Sequence, residues 1–341
     1  MEKERKLATI RKIKEVNSIP NADNIERAVV DGWNVVVKKG EFEEGDLCLY
    51  FEIDSLLPDW PQFEFLRSSS WKSDISKYRL RTVKLRGVIS QGLALPLSSF
   101  PQLKDVNLND DFTEVLEVEK YEPPIPTSLG GDVKGRFPSF IPKTDEERIQ
   151  NVPDILSRHP HEEYVITEKL DGTSATYYFN EGEFGFCGRN WEFKPETKNT
   201  YSEIAEKYDL QIKMQNLGRN IAVQGEIVGP GIQGNKYKLK EHRFFVFNIF
   251  NINFGMYLTH PLTEDICKLL ELDHVPVLDI VRFRKNTTVE DLLKLAEGRS
   301  QLHDTEREGV VIKSINNNDD IEIGRLSFKV INNKFLVKHN E

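Results

Sequence analysis

The residue types and spacing in Glu168-Lys169-Leu170-Asp171-Gly172 put an amine between two carboxylates, followed at once by a glycine. A lysine held this way can attack phosphorus once it has lost its proton. Because free lysine titrates near pH 10.4, burial, nearby positive charge or a metal must favour the neutral amine. Lys313, Lys329 and a divalent cation are the groups expected to supply that field, and to stabilise a phosphate as negative charge builds on it. Asp171, Glu226 and Glu308 are hard oxygen donors suited to Mg²⁺ or Mn²⁺, directly or through water, and no Cys/His cluster competes with them. Alone, Lys-x-Asp-Gly arises by chance in roughly one chain in ten of this length.

The elements that must position these groups read as strands. Tyr164-Val165-Ile166-Thr167 is apolar and β-branched, and Thr173 to Phe179 alternates, so Lys169 falls at the junction of two strands. Gly172 is expected there to let a nucleotide approach the backbone. Glu226 follows Ile221-Ala222-Val223, a position that also suits the end of a strand. Phe247 lies in a continuous apolar run, where pattern alone favours the core. Arg189 follows a strand turned at Asn180-Glu181-Gly182 and reads equally as a solvated loop residue. Lys329 could simply balance some of the 55 acidic residues.

Order along the chain adds the missing support. After Lys169 come Cys187-Gly188-Arg189-Asn190, Gln224-Gly225-Glu226-Ile227-Val228-Gly229, Phe244-Phe245-Val246-Phe247-Asn248-Ile249, Glu308-Gly309-Val310-Val311-Ile312-Lys313 and Phe328-Lys329-Val330-Ile331. This series resembles the covalent nucleotidyltransferase superfamily of ATP-dependent DNA ligases, RNA ligases and mRNA capping enzymes. The resemblance implies that Lys169 carries AMP and that Glu168, Arg189, Glu226, Phe247, Val311, Lys313 and Lys329 bind the nucleotide. It also implies that Phe247 stacks on adenine, that Arg189 contacts ribose or the nucleic-acid end, and that ATP with Mg²⁺ or Mn²⁺ is the donor system.

The composition, 38% hydrophobic and 30% charged, is that of a chain able to bury one large core or two moderate ones, and two domains are expected. Cys48, Cys187 and Cys267 are isolated and odd in number, which suits reduced thiols. No apolar stretch reads as a membrane span, and Met1 to Lys6 lacks the apolar core of a secretory signal, so an intracellular, cytoplasmic or nuclear protein is expected. A monomer is expected.

A net charge of −9 argues against nucleic acid until its distribution is considered. Arg67, Lys72, Lys77, Arg79, Arg81, Lys84 and Arg86 face a single acid, Asp74, with Trp71 and Tyr78 among them. Bases interleaved with aromatics can hold a phosphate backbone while stacking on bases, and Arg79, Arg81, Lys84 and Arg86 are the proposed RNA contacts. The alternative is the solvated face of an amphipathic strand.

Short strands over Leu7 to Val16, Ala28 to Val30, Trp33 to Val37, Leu47 to Ile53, Leu80 to Leu85 and Gly92 to Leu97 suggest a small barrel such as an OB fold. This stretch resembles OB-type RNA-binding domains in Asp31-Gly32-Trp33 and in Lys84 to Gly92. Glu122-Pro123-Pro124-Ile125-Pro126 and Gly130-Gly131 read as a linker. Thr144, with Glu147 three residues on, predicts a capped short helix leading toward Lys169. Later helices are predicted near Ser202 to Asn216, Thr263 to Leu272 and Thr288 to Gly298, the last ended by its glycine.

The fold class is therefore α+β: residues 1–125 as an OB-fold domain for RNA or nick binding, and residues 126–341 as a nucleotidyltransferase domain. Only 12 residues follow Lys329, so the barrel stands before the catalytic domain rather than after it. That order resembles the RNA ligases typified by the Deinococcus and Naegleria enzymes, and implies joining of 3′-OH and 5′-phosphate RNA ends at nicks in RNA or RNA/DNA duplexes. Two departures are Ser174, where some RNA ligases carry Asn, and Ile331 in place of a second lysine. A GTP-dependent capping-type enzyme and a non-catalytic RNA-binding protein are the alternatives.

Overall fold

A computed structural model describes residues 5–122 and 131–339. The N-terminal strands are β1 (Ala8–Ser18), β2 (Ile25–Val30), β3 (Trp33–Lys38), β4 (Leu47–Phe51) and β5 (Ser55–Leu57). There follow β6 (Trp71–Lys72), β7 (Lys77–Arg79), β8 (Val83–Leu85), β9 (Val88–Ser90), β10 (Leu93–Pro96) and β11 (Glu119–Lys120). Strand β1 serves two neighbours, with Ala8 to Lys12 pairing to β4 and Ile13 to Ser18 to β2, and the register shifts between Ile13 and Glu15. Such a bulge bends a strand and lets one sheet curl. The resulting order is β10-β4-β1-β2-β3, beside a second sheet β11-β5-β7-β6. Leu80 to Leu85, expected as one strand, is split: β7 ends at Arg79, and Val83 to Leu85 pairs with β9 in a separate hairpin.

The second body contains β12 (Val133–Arg136), β13 (Glu147–Arg148), β14 (Tyr164–Lys169), β15 (Thr173–Asn180), β16 (Glu183–Cys187), β17 (Trp191–Phe193) and β18 (Ile221–Val228). It continues with β19 (Arg243–Asn251), β20 (Met256–Tyr257), β21 (Asp273–His274), β22 (Val277–Val281), β23 (Gly309–Ser314), β24 (Asp319–Asp320), β25 (Gly324–Arg325) and β26 (Ser327–Ile331). One sheet runs β12-β17-β16-β15-β18-β19-β20, and the other β13-β26-β23-β14-β22. The chain crosses from the second to the first through Leu170-Asp171-Gly172, which puts Lys169 at the mouth between the sheets. Helices at Thr200–Lys207, Leu210–Leu217 and His260–Leu270 bury apolar faces on the larger sheet, and Val289–Ala296 packs on the smaller.

Two helix predictions need correction. Thr144 caps no helix: Glu147 and Arg148 are extended and pair in parallel with Phe328 and Lys329, a ladder that outcompetes the local capping pattern. The helix predicted from Ser202 to Asn216 is two, broken where Asp209 takes φ 51°. Thr288 does cap Val289–Ala296 through a reciprocal box with Asp291. Most of the Pro-rich stretch proposed as linker, with the 125/126 boundary, lies outside the described residues. All three cysteines are buried free thiols. Among the described residues no helix is long and apolar enough to cross a membrane.

The barrel is docked closely. Gly32 N donates to Gln150 O at 3.1 Å, and a Cβ at Gly32 would lie 2.8 Å from Gln150 Cα. Beside it, Trp33 Nε1 donates to Asn151 Oδ1 at 2.6 Å, and Asn151 Nδ2 reaches Glu52 and Glu147, each at 2.8 Å. Glycine is required here because backbone meets backbone.

Candidate active site

Strand alternation decides which side chains can meet. In β14, Tyr164 and Ile166 belong to the core under Val289–Ala296, and Glu168 follows on that face. Glu168 Oε2 accepts from Gln301 N at 2.8 Å, and burial raises the Glu168 pKa. The carboxylate thus anchors the 300–302 loop and does not accompany Lys169. Val165, Thr167 and Lys169 occupy the other face, opposite Lys313, Val311 and Gly309 of β23.

Lys169 Nζ forms an ion pair with Glu308 Oε1, the residue immediately before β23. Burial pulls the lysine pKa down, yet Glu308, Glu226 and Asp171 together carry it above its ordinary value. These carboxylates hold Lys169 as an ammonium, not as the discharged amine that attack requires. Asp171 pairs with Lys236, and its backbone N–H donates to Tyr237 Oη at 2.7 Å. Gly172 is also required by the fold: a Cβ there would lie 2.3 Å from Ile227 O. Its absence lets β14–β15 close onto β18 and brings Glu226 toward Lys169.

Glu226 sits within β18, two residues from its end. Burial is the main reason its pKa is pushed up to about 8; Lys169 opposes this, while Glu308 and Asp171 reinforce it. Such an excess of carboxylate is what a divalent cation would relieve. Glu308 Oε2 is buried without a hydrogen-bond partner, one oxygen ready to serve a ligand. Yet among the described residues no three His, Cys, Asp or Glu side chains converge as a metal cage. The donors fit a cation held by one or two carboxylates and completed by phosphate and water, the usual habit of Mg²⁺.

Phe247 is aimed by a bulge. In the β18–β19 ladder Gln224 pairs with Asn248 and Gly225 with Val246, leaving Phe247 unpaired and half-buried beside Leu170. Lys313 Nζ donates to Phe247 O at 2.7 Å and Asn248 Oδ1 at 3.0 Å, and burial, with Arg325 adding to it, brings its pKa to about 7. Lys313 is tied to the bulge rather than to Lys169. Val311, half-buried on the same face, lies between them.

Lys329, brought to about 8 chiefly by burial, reaches Asp145 Oδ1 at 3.2 Å, and Arg189 reaches Asp145 Oδ2 at 3.3 Å. Sequence reasoning missed Asp145, Lys236 and Tyr237. Asp145 was hidden in the capping pattern, and Lys236 and Tyr237 lie 65 and 66 positions from Asp171 with no motif to mark them.

A family model described as RNA ligase matches residues 162–331, and a model of an OB-fold domain matches residues 7–97. No curated protein matches the sequence. A solved structure, Naegleria gruberi RNA ligase with PPi, is 41% identical, covers 99% of each chain and superposes with a TM-score of 0.91. The chain belongs to the RNA ligase family. Two further structures of the Naegleria gruberi enzyme, lysine-to-alanine and glutamate-to-alanine mutants with ATP and Mn, are each 41% identical with TM-scores of 0.91. The first covers 98% of this chain and 99% of that one, the second 99% and 100%.

The ligase's basic stretch is divided by the fold. Arg67 stacks 3.9 Å over Trp71, and Tyr78 is fully buried with its hydroxyl donating to Asp59 and Glu64. Arg79 is bound to Asp54 at 3.2 Å and lies 3.7 Å over Tyr121. Arg81 is half-buried, whereas Lys84 and Arg86 stand exposed on the β8–β9 hairpin, turned at Arg86 (φ 47°) and Gly87 (φ 87°). The two aromatics expected to stack on bases are thus engaged within the barrel.

Proposed function

We propose that this RNA ligase uses ATP to seal 3′-OH and 5′-phosphate RNA ends at nicks in RNA or RNA/DNA duplexes, acting as an intracellular monomer through a lysyl-AMP intermediate. The observation that carries the reading is Lys169 at a strand end, hydrogen-bonded to Glu308 within a group of three carboxylates and on the cleft side of β14. Its ammonium loses one proton before attack, and Glu308, already hydrogen-bonded to Nζ, is the base within reach. The Nζ lone pair forms a bond to the α-phosphorus, the bond to the bridging oxygen breaks, and pyrophosphate leaves with that electron pair. The phosphoramide nitrogen then releases its second proton. A 5′-phosphate oxygen next bonds to the phosphorus of AMP as the P–N bond breaks and Nζ regains a proton, and the 3′-OH, losing its proton, then bonds to the 5′-phosphorus as the P–O bond to AMP breaks. Glu226 and Glu308 would hold Mg²⁺ or Mn²⁺, whose charge would offset the field that keeps Lys169 protonated and stabilise the phosphoryl charge, while Asp171, paired with Lys236, adds negative charge beside them.

Lys329 and Arg189, both paired with Asp145, are the proposed nucleotide-binding cations, and Phe247 is the proposed stacking platform for adenine, with Val311 beside it and Lys313 holding its bulge. Glu168 would contribute its backbone and its hold on the 300–302 loop. The domain division 1–125 and 126–341 is proposed, with Lys84 and Arg86 of the hairpin and Arg81 just before it as RNA contacts, and Arg79 behind them. The test is incubation with α-labelled ATP or GTP, followed by sealing assays on nicked duplexes of every RNA/DNA combination. Label from ATP at Lys169 and closure of RNA nicks are expected. Label from GTP alone would favour a capping-type enzyme, and no label a binding protein.

A further inference from the structure

Three cations from three separate strands or their loops converge on one carboxylate that no motif marks. Asp145 binds Lys329 of β26, Arg189 of the loop between β16 and β17, and Lys120 of β11 in the barrel. Each cation is held by its own scaffold: β11 pairs with β5, β16 with β15 and β26 with β23. Their backbones are therefore placed without Asp145. Burial acts against its charge most strongly, but Lys329, Arg189 and Lys120 together hold its carboxyl far below the usual range. Its side chain nonetheless remains 40% exposed, so the cluster it neutralises is open to solvent. It lies in a short irregular run between Pro142, whose carbonyl accepts from Gln224, and Glu147, fixed in β13.

We propose that Asp145 is an internal counter-anion that neutralises this cation cluster while the nucleotide is absent, and that the phosphates of the donor displace it. The inference rests on reading the cleft as a nucleotide site. Asp145 then competes with the donor for Lys329, Arg189 and Lys120, and lowers affinity while offsetting the mutual repulsion of the three cations.

The experiment measures binding of inorganic pyrophosphate to the full chain by calorimetry. Asp145→Asn should tighten Kd about tenfold, the scale of removing one like charge beside a partly exposed ionic site. Asp145→Glu, which keeps the charge, should bind like wild type. In the unmodified protein, carbodiimide labelling read by mass spectrometry should rise at Asp145 when pyrophosphate saturates the site. Unchanged or weaker binding by a folded Asp145→Asn protein, or labelling of Asp145 that stays level or falls, overturns the proposal. Should wild type transfer label from ATP to Lys169 while these results fail, only the counter-anion role is lost. Absence of that transfer would remove the ligase chemistry on its own account.

Discussion

Replacing Lys169 with Met should do more than abolish label transfer from α-labelled ATP. It leaves Glu308 without its partner, and Glu308 Oε2 is already unbonded, so neither oxygen would keep a protein partner. Breaking a buried ion pair from one side costs about 3–5 kcal/mol. The Lys169 side chain is 29% exposed and that of Glu308 11%, so solvent screening reduces the expected loss to about 2 kcal/mol. The pH dependence has a definite sign. Burial makes Glu226 and Glu308 titrate above the unfolded carboxyl value, and Lys169 is the largest influence lowering both. Without it they rise further, so the folded variant binds protons more tightly than the unfolded chain and loses stability as pH climbs from about 4.5. For Glu226 that window already reaches about 8 in the wild type. Urea denaturation should therefore find Lys169→Met close to wild type near pH 5 and most deficient near pH 8.5, with Glu308→Gln in the same chain restoring much of the deficit. A variant as stable as wild type across that range, or one that still accepts label, would refute the account of the carboxylate group.

Glu226→Ala and Glu308→Ala should each suppress adenylylation of Lys169 by at least about a hundredfold with the fold retained, and Gln at both positions labelling normally in limiting metal would dismiss them as cation partners. Phe247→Ala should raise KM for ATP about tenfold with little change in kcat, since stacking acts on binding; steady-state labelling rates against ATP concentration measure it. Charge reversal at Lys84 and Arg86 should flatten the dependence of nick binding on salt, by about one unit of log–log slope for each phosphate no longer neutralised, and an unchanged slope returns the hairpin to a solvated face. Gly32→Ala should cost about 1–3 kcal/mol, because its methyl would meet the Gln150 backbone at the seam between barrel and catalytic body, and a melt indistinguishable from wild type would show the seam to be compliant.

The chemistry was legible in the sequence because it depends on residue type and order. Lys169 followed by Asp171 and Gly172, then Glu226, Phe247, Glu308 and Lys329 on strands of recognisable period, pointed by their order to the RNA ligase family that the comparisons show, and strand alternation and turn residues announced the barrel. The helix expected after Thr144 failed because its capping pattern is local, while the ladder of Glu147 and Arg148 with Phe328 and Lys329 spans about 180 residues. Tertiary structure alone decided that Glu168 turns from the cleft, that Lys313 serves the Phe247 bulge, and that Arg79 and Tyr78 are spent inside the barrel. It also decided that Lys169 begins as an ammonium. A pKa belongs to the surroundings of a group, and the three carboxylates around Lys169 are assembled only when β14, β18 and β23 come together.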